Sequence, residues 1–450
     1  MRAEHIRLFE GERVPRYTSY PTAPHFSPAI GSGDYAAWLA ALPATARLSL
    51  YLHIPYCRQL CWYCGCHTYI TRRAERITAY LELLEREIDL IADLLPATMP
   101  VVHLHFGGGT PSIVGAAGMR RILDHLRRRF TFLPGAEAAI ELDPRMVDRE
   151  LVSALAEGGI NRVSLGVQTT DPKVQAAVNR IQPITRVAAV FDMLRAAGIG
   201  HISVDLLYGL PHQSVATVRR TAAEVLALAP DRAAVFGYAH LPRLKRHQTL
   251  IPDRALPDAA ARAAQFEAIA ESFERAGYVA IGLDHFARPE DSMARALADR
   301  SLRRNFQGYT TDPADALIGF GCSAIGELPE GYVQNAADLR HWRREVRAGR
   351  PPIVRGLGLT PIDRAIRAVI ERIMCFGEVD LDRLAREHGL PRATIEPDAE
   401  RMRQLLELGI ASAEGGRISV PAENRPLLRL VAAAFDRYLE PGTQRHAVAI

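Results

Sequence analysis

Between residues 48 and 239, short β-rich runs alternate with amphipathic helical patterns, and that alternation leaves few folds open. The runs are Leu48–Ile54, Val101–Phe106, Ala138–Leu142, Arg162–Val167, His201–Tyr208 and Ala233–Ala239. The helical patterns are Ile77–Leu95, Met119–Arg129, Arg149–Glu157, Val187–Ala197 and Val215–Leu228. In the first of these, Leu81, Leu84, Ile88, Ile91 and Leu95 recur at spacings of three and four, which makes one face apolar. Strands joined through helices build a parallel sheet with right-handed crossovers. The repetition predicts an α/β fold, a partial (βα)6 barrel, with its functional groups at the C-terminal ends of the strands.

The flanks read differently. Residues 1–47 hold little regular pattern. RYTSYPTAPHFSP is rich in Pro and turn formers but carries aromatics, which disordered segments lack, so an extended N-terminal arm is expected. A strand at Val279–Phe286 and the Gly-rich Ala316–Gly326 extend the barrel region, giving a catalytic domain over 48–350. GRPPIV at 349–354 reads as a linker, and 355–450 as a smaller, mostly helical C-terminal domain. Its helices are predicted at Asp363–Arg372, Asp380–His388 and Ile395–Leu408, followed by a hairpin in IASAEGGRISV with Gly-Gly at the turn. Helices followed by a hairpin resemble a winged helix. No dense basic helix accompanies them, so a packing or lid role is expected rather than DNA binding.

Charge and hydropathy exclude other classes. With 55 basic and 51 acidic residues, the net charge of +4 is too balanced to argue for nucleic acid. No apolar run approaches the ~18–20 residues of a membrane span. MRAEHIRLFEGER lacks the apolar core of a signal peptide. A cytoplasmic protein is expected, and, with no coiled-coil heptad, a monomer.

Four of the six cysteines fall within YLHIPYCRQLCWYCGCHTY, directly after the first strand. In a reducing compartment such a group suggests metal ligation rather than a disulfide framework. The spacing is C-x3-C-x2-C-x-C. Three thiolates, Cys57, Cys61 and Cys64, can hold three irons of a cubane and leave the fourth iron open to a small molecule. All four cysteines on one zinc is the alternative, although zinc sites usually pair two separated C-x2-C knuckles. Cys322 and Cys375 are isolated and read as core residues. His53, His67 and the His/Arg-rich stretch at 240–247 are assigned no metal, and His67 and that stretch read as surface. GGGTP at 107–111 follows a strand and precedes a helix. It reads either as a tight βα turn or as a place where backbone meets ligand, with free N–H groups at the helix start. Glu141, Gln168, Asp205 and Ala239 fall in or at the ends of successive strands, where each is either a cap or satisfied core group or part of one ring around the barrel mouth.

The cysteine motif resembles that of the radical S-adenosylmethionine (SAM) superfamily. Within it, the sequence is similar to the oxygen-independent coproporphyrinogen III oxidases. The matching segments are RYTSYPTAPHF, YLHIPYCRQLCWYCGC, HFGGGTPS, IELDPR, RVSLGVQ, VNRIQ, VDLLYGLPHQ, FGYAHLP, DHFARPEDSMARAL, RNFQGYTT and GFGCSAIG, spanning residues 16–326. The resemblance implies a [4Fe–4S] cluster on Cys57, Cys61 and Cys64. It also implies that Cys66 is essential without being a ligand, against the plain reading of a spare thiol. Two SAM molecules are implied. Tyr51, Gly108, Glu141 and Ile325 would contact the first. Tyr63, Gly109, Thr110, Gln168, Arg180, Asp205 and Ala239 would contact the second, with Tyr63 able to stack on adenine. The implied substrate is coproporphyrinogen III, whose two reacting propionates become vinyl groups in haem biosynthesis. The arm, with Arg16, Tyr17 and Tyr20, would help bind or cover it. The reaction also needs an electron donor and acceptor that these residues do not identify. The alternatives are a haem-binding, chaperone-like relative and a radical SAM tetrapyrrole methyltransferase. The former typically lacks the fourth cysteine and the arm.

Overall fold

The computed structural model describes residues 8, 9 and 12–439. The predicted runs form consecutive parallel strands: β1 (Leu48–Ile54), β2 (Pro100–Gly108), β3 (Thr131–Leu142), β4 (Arg162–Gln168), β5 (His201–Tyr208) and β6 (Arg232–Gly237). Helices α1 (Ala74–Leu94), α2 (Gly115–Arg129), α3 (Arg149–Glu157), α4 (Ile184–Ala196) and α5 (Val215–Ala227) lie between them in sequence.

The sheet is larger than the expected six strands. The Gly-rich segment contains a seventh parallel strand, Ala316–Phe320, on the far side of β1. Antiparallel strands Ile325–Leu328, Gly331–Asn335 and Ile353–Gly358 continue from it. The segment read as a linker therefore enters an edge strand, and the boundary drawn at 355 falls inside the sheet. The strand expected at Val279–Phe286 is two, Val279–Ile281 and His285–Ala287, folded back on each other beyond β6. The arm is also more regular than expected, with a helix at Ser32–Ala40.

Alternation along each strand decides what faces where. Leu48, Leu50, Leu52 and Ile54 are buried in the main apolar core with Leu84 and Ile88 of α1. Ser49, Tyr51 and His53 are out of phase with them and pair in register with His103, His105 and Gly107 of β2. The lumen side is therefore polar. Its floor is an ion network in which Arg162 Nε stands 2.9 Å from Glu137 and Arg232 Nε 2.7 Å from Asp291.

A second apolar core holds Ile366, Val369, Ile373, Leu384, Met402 and Ile418 from the C-terminal helices and hairpin. Gly415 and Gly416 have φ of 54° and 79°, the left-handed geometry that a two-residue hairpin turn needs. The hairpin (Ser412–Glu414 and Arg417–Ser419) is joined by Glu378–Asp380 into a three-stranded sheet. Val14, Tyr17 and Tyr20 of the arm are buried in this second core rather than in the barrel.

Candidate active site

Beyond β1, the cysteine loop is closed by a short parallel ladder that pairs Tyr56–Cys57 with Tyr69–Ile70. Tyr69 N donates to Pro55 O at 2.7 Å and Thr71 N to Cys57 O at 2.9 Å. Two distant segments grip the loop within this clasp. Trp62 N donates to Val178 O at 3.0 Å and Asn179 Nδ2 to Leu60 O at 2.9 Å. From the other side, Gln248 Nε2, His247 Nε2 and Lys245 Nζ hold the carbonyls of Tyr63, Cys64 and Cys66 at 3.0, 2.8 and 3.0 Å. The His/Arg-rich stretch is thus partly a brace for the loop and not merely surface.

Each of the three expected ligands has donors aimed at its sulfur. Cys57 Sγ is 3.2 Å from the Thr110 hydroxyl and 3.3 Å from that of Thr68. Cys61 is buried, 3.5 Å from an Arg180 guanidinium nitrogen and 3.7 Å from one of Arg145. Cys64 is pulled down to about 6, first by hydrogen bonding from the Cys66 side chain and also by the nearby charges of His247 and Lys245. The thiol of Cys66 is pushed well above its ordinary value by Cys64 and by burial, so it persists as a thiol. Burial pushes the Cys57 thiol up against the pull of the two threonine hydroxyls. Three cysteines with donors at their sulfurs beside a fourth held protonated is nevertheless a donor set that fits a cubane with three protein ligands. Among the described residues, no three His, Cys, Asp or Glu side chains converge on one point as ligands of a single ion do.

The glycine turn packs against the clasp. Gly109 N donates to Ile54 O and Thr110 N to Tyr56 O, both at 2.9 Å, so these N–H groups are not free for a ligand as the helix-start argument had it. A Cβ at Gly108, where φ is +116°, would stand 2.9 Å from the His53 ring and from Ile54 O. These glycines permit a close approach of the turn to the clasp and to the His53 ring.

The lumen above the ion network is a cavity of about 250 Å³ lined by His105, Glu141, Ser164, Asp205, Phe236 and Tyr309, among others. Glu141 Oε1 is 3.3 Å from His105 Nε2, and its side chain is half exposed to the cavity. Asp205 accepts from Ser164 Oγ at 3.2 Å and is pushed up to about 7 by burial and then by Glu141. Two carboxyl groups, neither ion-paired to a guanidinium among the described residues, suit a ligand rich in hydroxyl and amino donors. The Tyr51 hydroxyl meets His53 Nδ1 at 3.1 Å. Gln168 ends β4 after a register shift and has φ of 67°, which re-aims its side chain.

Arg180 reaches further than expected. Besides Cys61 it meets Asp143 at 3.3 Å and Gly166 O at 2.5 Å, and its buried Nε has no hydrogen-bond partner among the described residues. Arg145 pairs with Asp143 through two nitrogens. Tyr63 is half-buried against the cluster of Val174, Val178, Leu210 and Tyr238. Ala239 lies two residues beyond β6, its carbonyl 3.3 Å from Gln248 Nε2. Ile325 opens an antiparallel strand and packs in a cluster with Phe26 of the arm and Phe306. Sequence reading missed Thr68, Asp143, Arg145, Lys245, His247 and Gln248. The only signal for most of them was a polar residue beside a motif.

A polar barrel mouth carrying a three-thiolate loop defines the radical SAM class, and the Radical SAM superfamily model matches residues 51–225. A chain from Bradyrhizobium diazoefficiens named oxygen-independent coproporphyrinogen III oxidase is 51% identical over 450 residues, 100% of both chains. One of the same name from Paracoccus denitrificans is 42% identical, over 99% of this chain and 98% of the other. The solved coproporphyrinogen III oxidase of Escherichia coli, a radical SAM enzyme, matches with a TM-score of 0.90 at 36% identity, over 95% of this chain and 100% of that one. The chain belongs to the oxygen-independent coproporphyrinogen III oxidase family of radical SAM enzymes. Membership carries with it a [4Fe–4S] cluster and SAM.

Proposed function

We propose that this enzyme converts two propionate side chains of coproporphyrinogen III to vinyl groups without oxygen, giving protoporphyrinogen IX in haem biosynthesis. The observation that carries the reading is the cysteine loop: three thiols flanked by donors and a fourth kept protonated, facing a lumen that holds the carboxyl groups of Glu141 and Asp205. When bound, the cluster and SAM supply a 5′-deoxyadenosyl radical by one-electron cleavage of a C–S bond. Such chemistry is needed because a propionate side chain has no C–H bond acidic enough for a protein base. Per propionate, one hydrogen atom, one CO2 and one electron leave, and a vinyl group remains.

In this reading Cys57, Cys61 and Cys64 hold the cluster, and Thr68, Thr110, Arg145 and Arg180 stabilise their thiolates. Tyr51, Gly108, Glu141 and Ile325 surround one SAM. A second SAM meets Tyr63, Gly109, Thr110, Gln168, Arg180, Asp205 and Ala239. Cys66 serves turnover without ligating iron. The arm covers the site and excludes water from the radical. The chain acts as a cytoplasmic monomer served by a separate electron donor and acceptor. In support, no helix among the described residues is long and apolar enough to cross a membrane.

The test is substrate deuterated at the propionate carbon attached to the ring. Deuterium should appear in 5′-deoxyadenosine, with two CO2 released per product. Release of CO2 with no label transferred refutes the radical route, and transfer of a methyl group instead makes the enzyme a methyltransferase.

A further inference from the structure

Charge is distributed unevenly around the cysteine loop. The whole chain is nearly balanced, with 55 basic and 51 acidic residues, but residues 55–76 carry four arginines against Glu75 alone, and residues 241–250 carry three basic residues and no acid. Elsewhere surface arginines are matched by carboxylates. On α2, Arg120 Nε stands 2.9 Å from Glu157, Arg121 pairs with Glu85 and Arg129 with Asp93. Around the loop they are not. Arg58, Arg72, Arg73, Arg243 and Arg246 are exposed, and none is ion-paired to a carboxylate among the described residues.

The loop's own hydrogen bonds gather these charges. Cys57 pairs with Ile70 in the clasp, so Arg58 and the neighbours Arg72 and Arg73 leave the same ladder. Lys245 Nζ and His247 Nε2 hold the carbonyls of Cys66 and Cys64, which brings Arg243 and Arg246 to the loop. The helix Leu339–Arg347 adds Arg343, whose Nη2 donates to Tyr56 Oη at 3.2 Å. Tyr56 is buried in the main core with its ring 5.5 Å from that of Tyr80 of α1. Arg343 therefore approaches from the helix-covered outside of the barrel and not from the lumen. Apolar side chains lie among the charges. Six large ones are exposed among the described residues, and four of them, Ile70, Ile181, Leu244 and Leu250, belong to segments that grip the loop. Leu244 is 71% exposed. Ile181 is 60% exposed, two residues past Asn179, whose side chain accepts from Gln59 Nε2 at 2.9 Å. Exposed hydrocarbon rimmed by arginine is the composition of a protein interface rather than of a merely solvated charged face.

We propose that this collar is the docking surface for an acidic protein that delivers single electrons to the cluster. The proposal rests on the reading that a separate donor serves the enzyme. SAM and the tetrapyrrole are taken up in the lumen, so the donor is the reactant that has to approach the loop from outside. In the transfer the carrier's cofactor loses one electron and the cluster gains it, and no atom passes between them. Unpaired arginines raise the encounter rate with an acidic partner and orient it. They come from separate segments of the chain, which suits a broad acidic face better than one small anion.

The test uses a flavodoxin, an acidic FMN protein, as the carrier and the anaerobically reconstituted full chain. Arg72→Glu and Arg243→Glu are compared with wild type and with Arg386→Glu, which alters an exposed arginine of the C-terminal helix Leu381–Glu387. Calorimetry with oxidised flavodoxin reads docking alone, and 5′-deoxyadenosine formed from SAM reads electron delivery. With limiting reduced flavodoxin at low ionic strength, Arg72→Glu and Arg243→Glu should each cleave SAM about fivefold or more slowly than wild type and bind flavodoxin more weakly by a similar factor. Arg386→Glu should match wild type, added salt should narrow the gap, and excess dithionite should drive all four proteins alike. If a variant is slow with dithionite too, calorimetry decides: weaker docking upholds the proposal and equal docking overturns it. Flavodoxin affinity and flavodoxin-driven rates unchanged in both variants overturn it. So does a wild type that cleaves SAM with dithionite but neither binds flavodoxin nor accepts its electrons. A wild type inert even to dithionite overturns the radical reading and the proposal with it. Variants that keep the flavodoxin-driven rate but need more coproporphyrinogen III for half-maximal turnover assign the collar to the acidic substrate, and variants that lose only binding to phosphatidylglycerol vesicles assign it to a membrane surface; either result overturns the proposal.

Discussion

Gly107 and Gly109 lie two residues apart in one turn, yet a methyl group at each meets different neighbours. At Gly109 a Cβ would stand 2.5 Å from Thr68 Oγ1 and 2.7 Å from Tyr56 O. At Gly107 it would stand 2.9 Å from the Tyr51 hydroxyl and 3.0 Å from Glu141 Oε1. Side-chain ends can rotate away; a carbonyl locked in the loop's clasp cannot. Restoring an ordinary 3.4 Å contact with Tyr56 O requires a shift of about 0.7 Å. A shift of about that size stretches the 2.9 Å bond from Thr110 N to Tyr56 O beyond hydrogen-bonding range and draws the Thr110 hydroxyl away from Cys57. One lost bond at about 1 kcal/mol and overpacking at about 1–3 kcal/mol give a cost of about 2–4 kcal/mol for Gly109→Ala. Gly107→Ala should cost less than about 1 kcal/mol, because only rotamers move. Iron and sulfide per chain after anaerobic reconstitution, denaturant unfolding and SAM calorimetry separate the two. Gly109→Ala should lose iron and stability together. Gly107→Ala should keep its iron and bind SAM more weakly, through displaced Tyr51 and Glu141. A Gly109→Ala enzyme with full iron and an unchanged unfolding midpoint refutes the packing argument.

Ser substitution of Cys57, Cys61 or Cys64 should abolish the cluster's visible absorbance, whereas Cys66→Ser should retain it and lose turnover; a Cys66→Ser chain unable to assemble a cluster makes Cys66 a ligand. Arg180→Met should lower iron retention against a chelator as well as SAM affinity, since Arg180 donates to Cys61; unchanged iron retention would show that contact to be idle. Asp205, pushed up to about 7, holds a proton in the folded state that the unfolded chain releases above about 4. Its contribution to stability is complete below about pH 4 and is lost as pH rises through about 7. The unfolding free energy of cluster-free Asp205→Asn should therefore fall less steeply than that of wild type between about pH 5 and pH 7. Parallel curves for the two proteins count against a raised Asp205.

What could be read from the sequence was local. The two-residue period of Leu48–Ile54, the three-and-four spacing across Ile77–Leu95 and the Gly-Gly of the hairpin each show which face is buried or which turn forms. Those properties are set within a few residues by backbone geometry. The cysteine spacing was legible for the same reason, since three ligands on one loop need no distant partner to be recognised. Tertiary structure alone decided how faces found each other. Ala316–Phe320 reads as a Gly-rich stretch, but the open edge of β1 makes it a parallel strand. Pro352 and the glycines around it suggested a linker, until pairing with Gly331–Asn335 made Ile353–Gly358 an edge strand. Val14, Tyr17 and Tyr20 carry no period of their own, and their burial comes from a core some 350 residues or more away in sequence. Lys245, His247 and Gln248 brace the cysteine loop across a separation of about 180 residues. A period states that a residue is covered but not what covers it. The hydrogen bonds that turn a cysteine motif into a shaped site are made by residues whose neighbours exist only once the chain has closed.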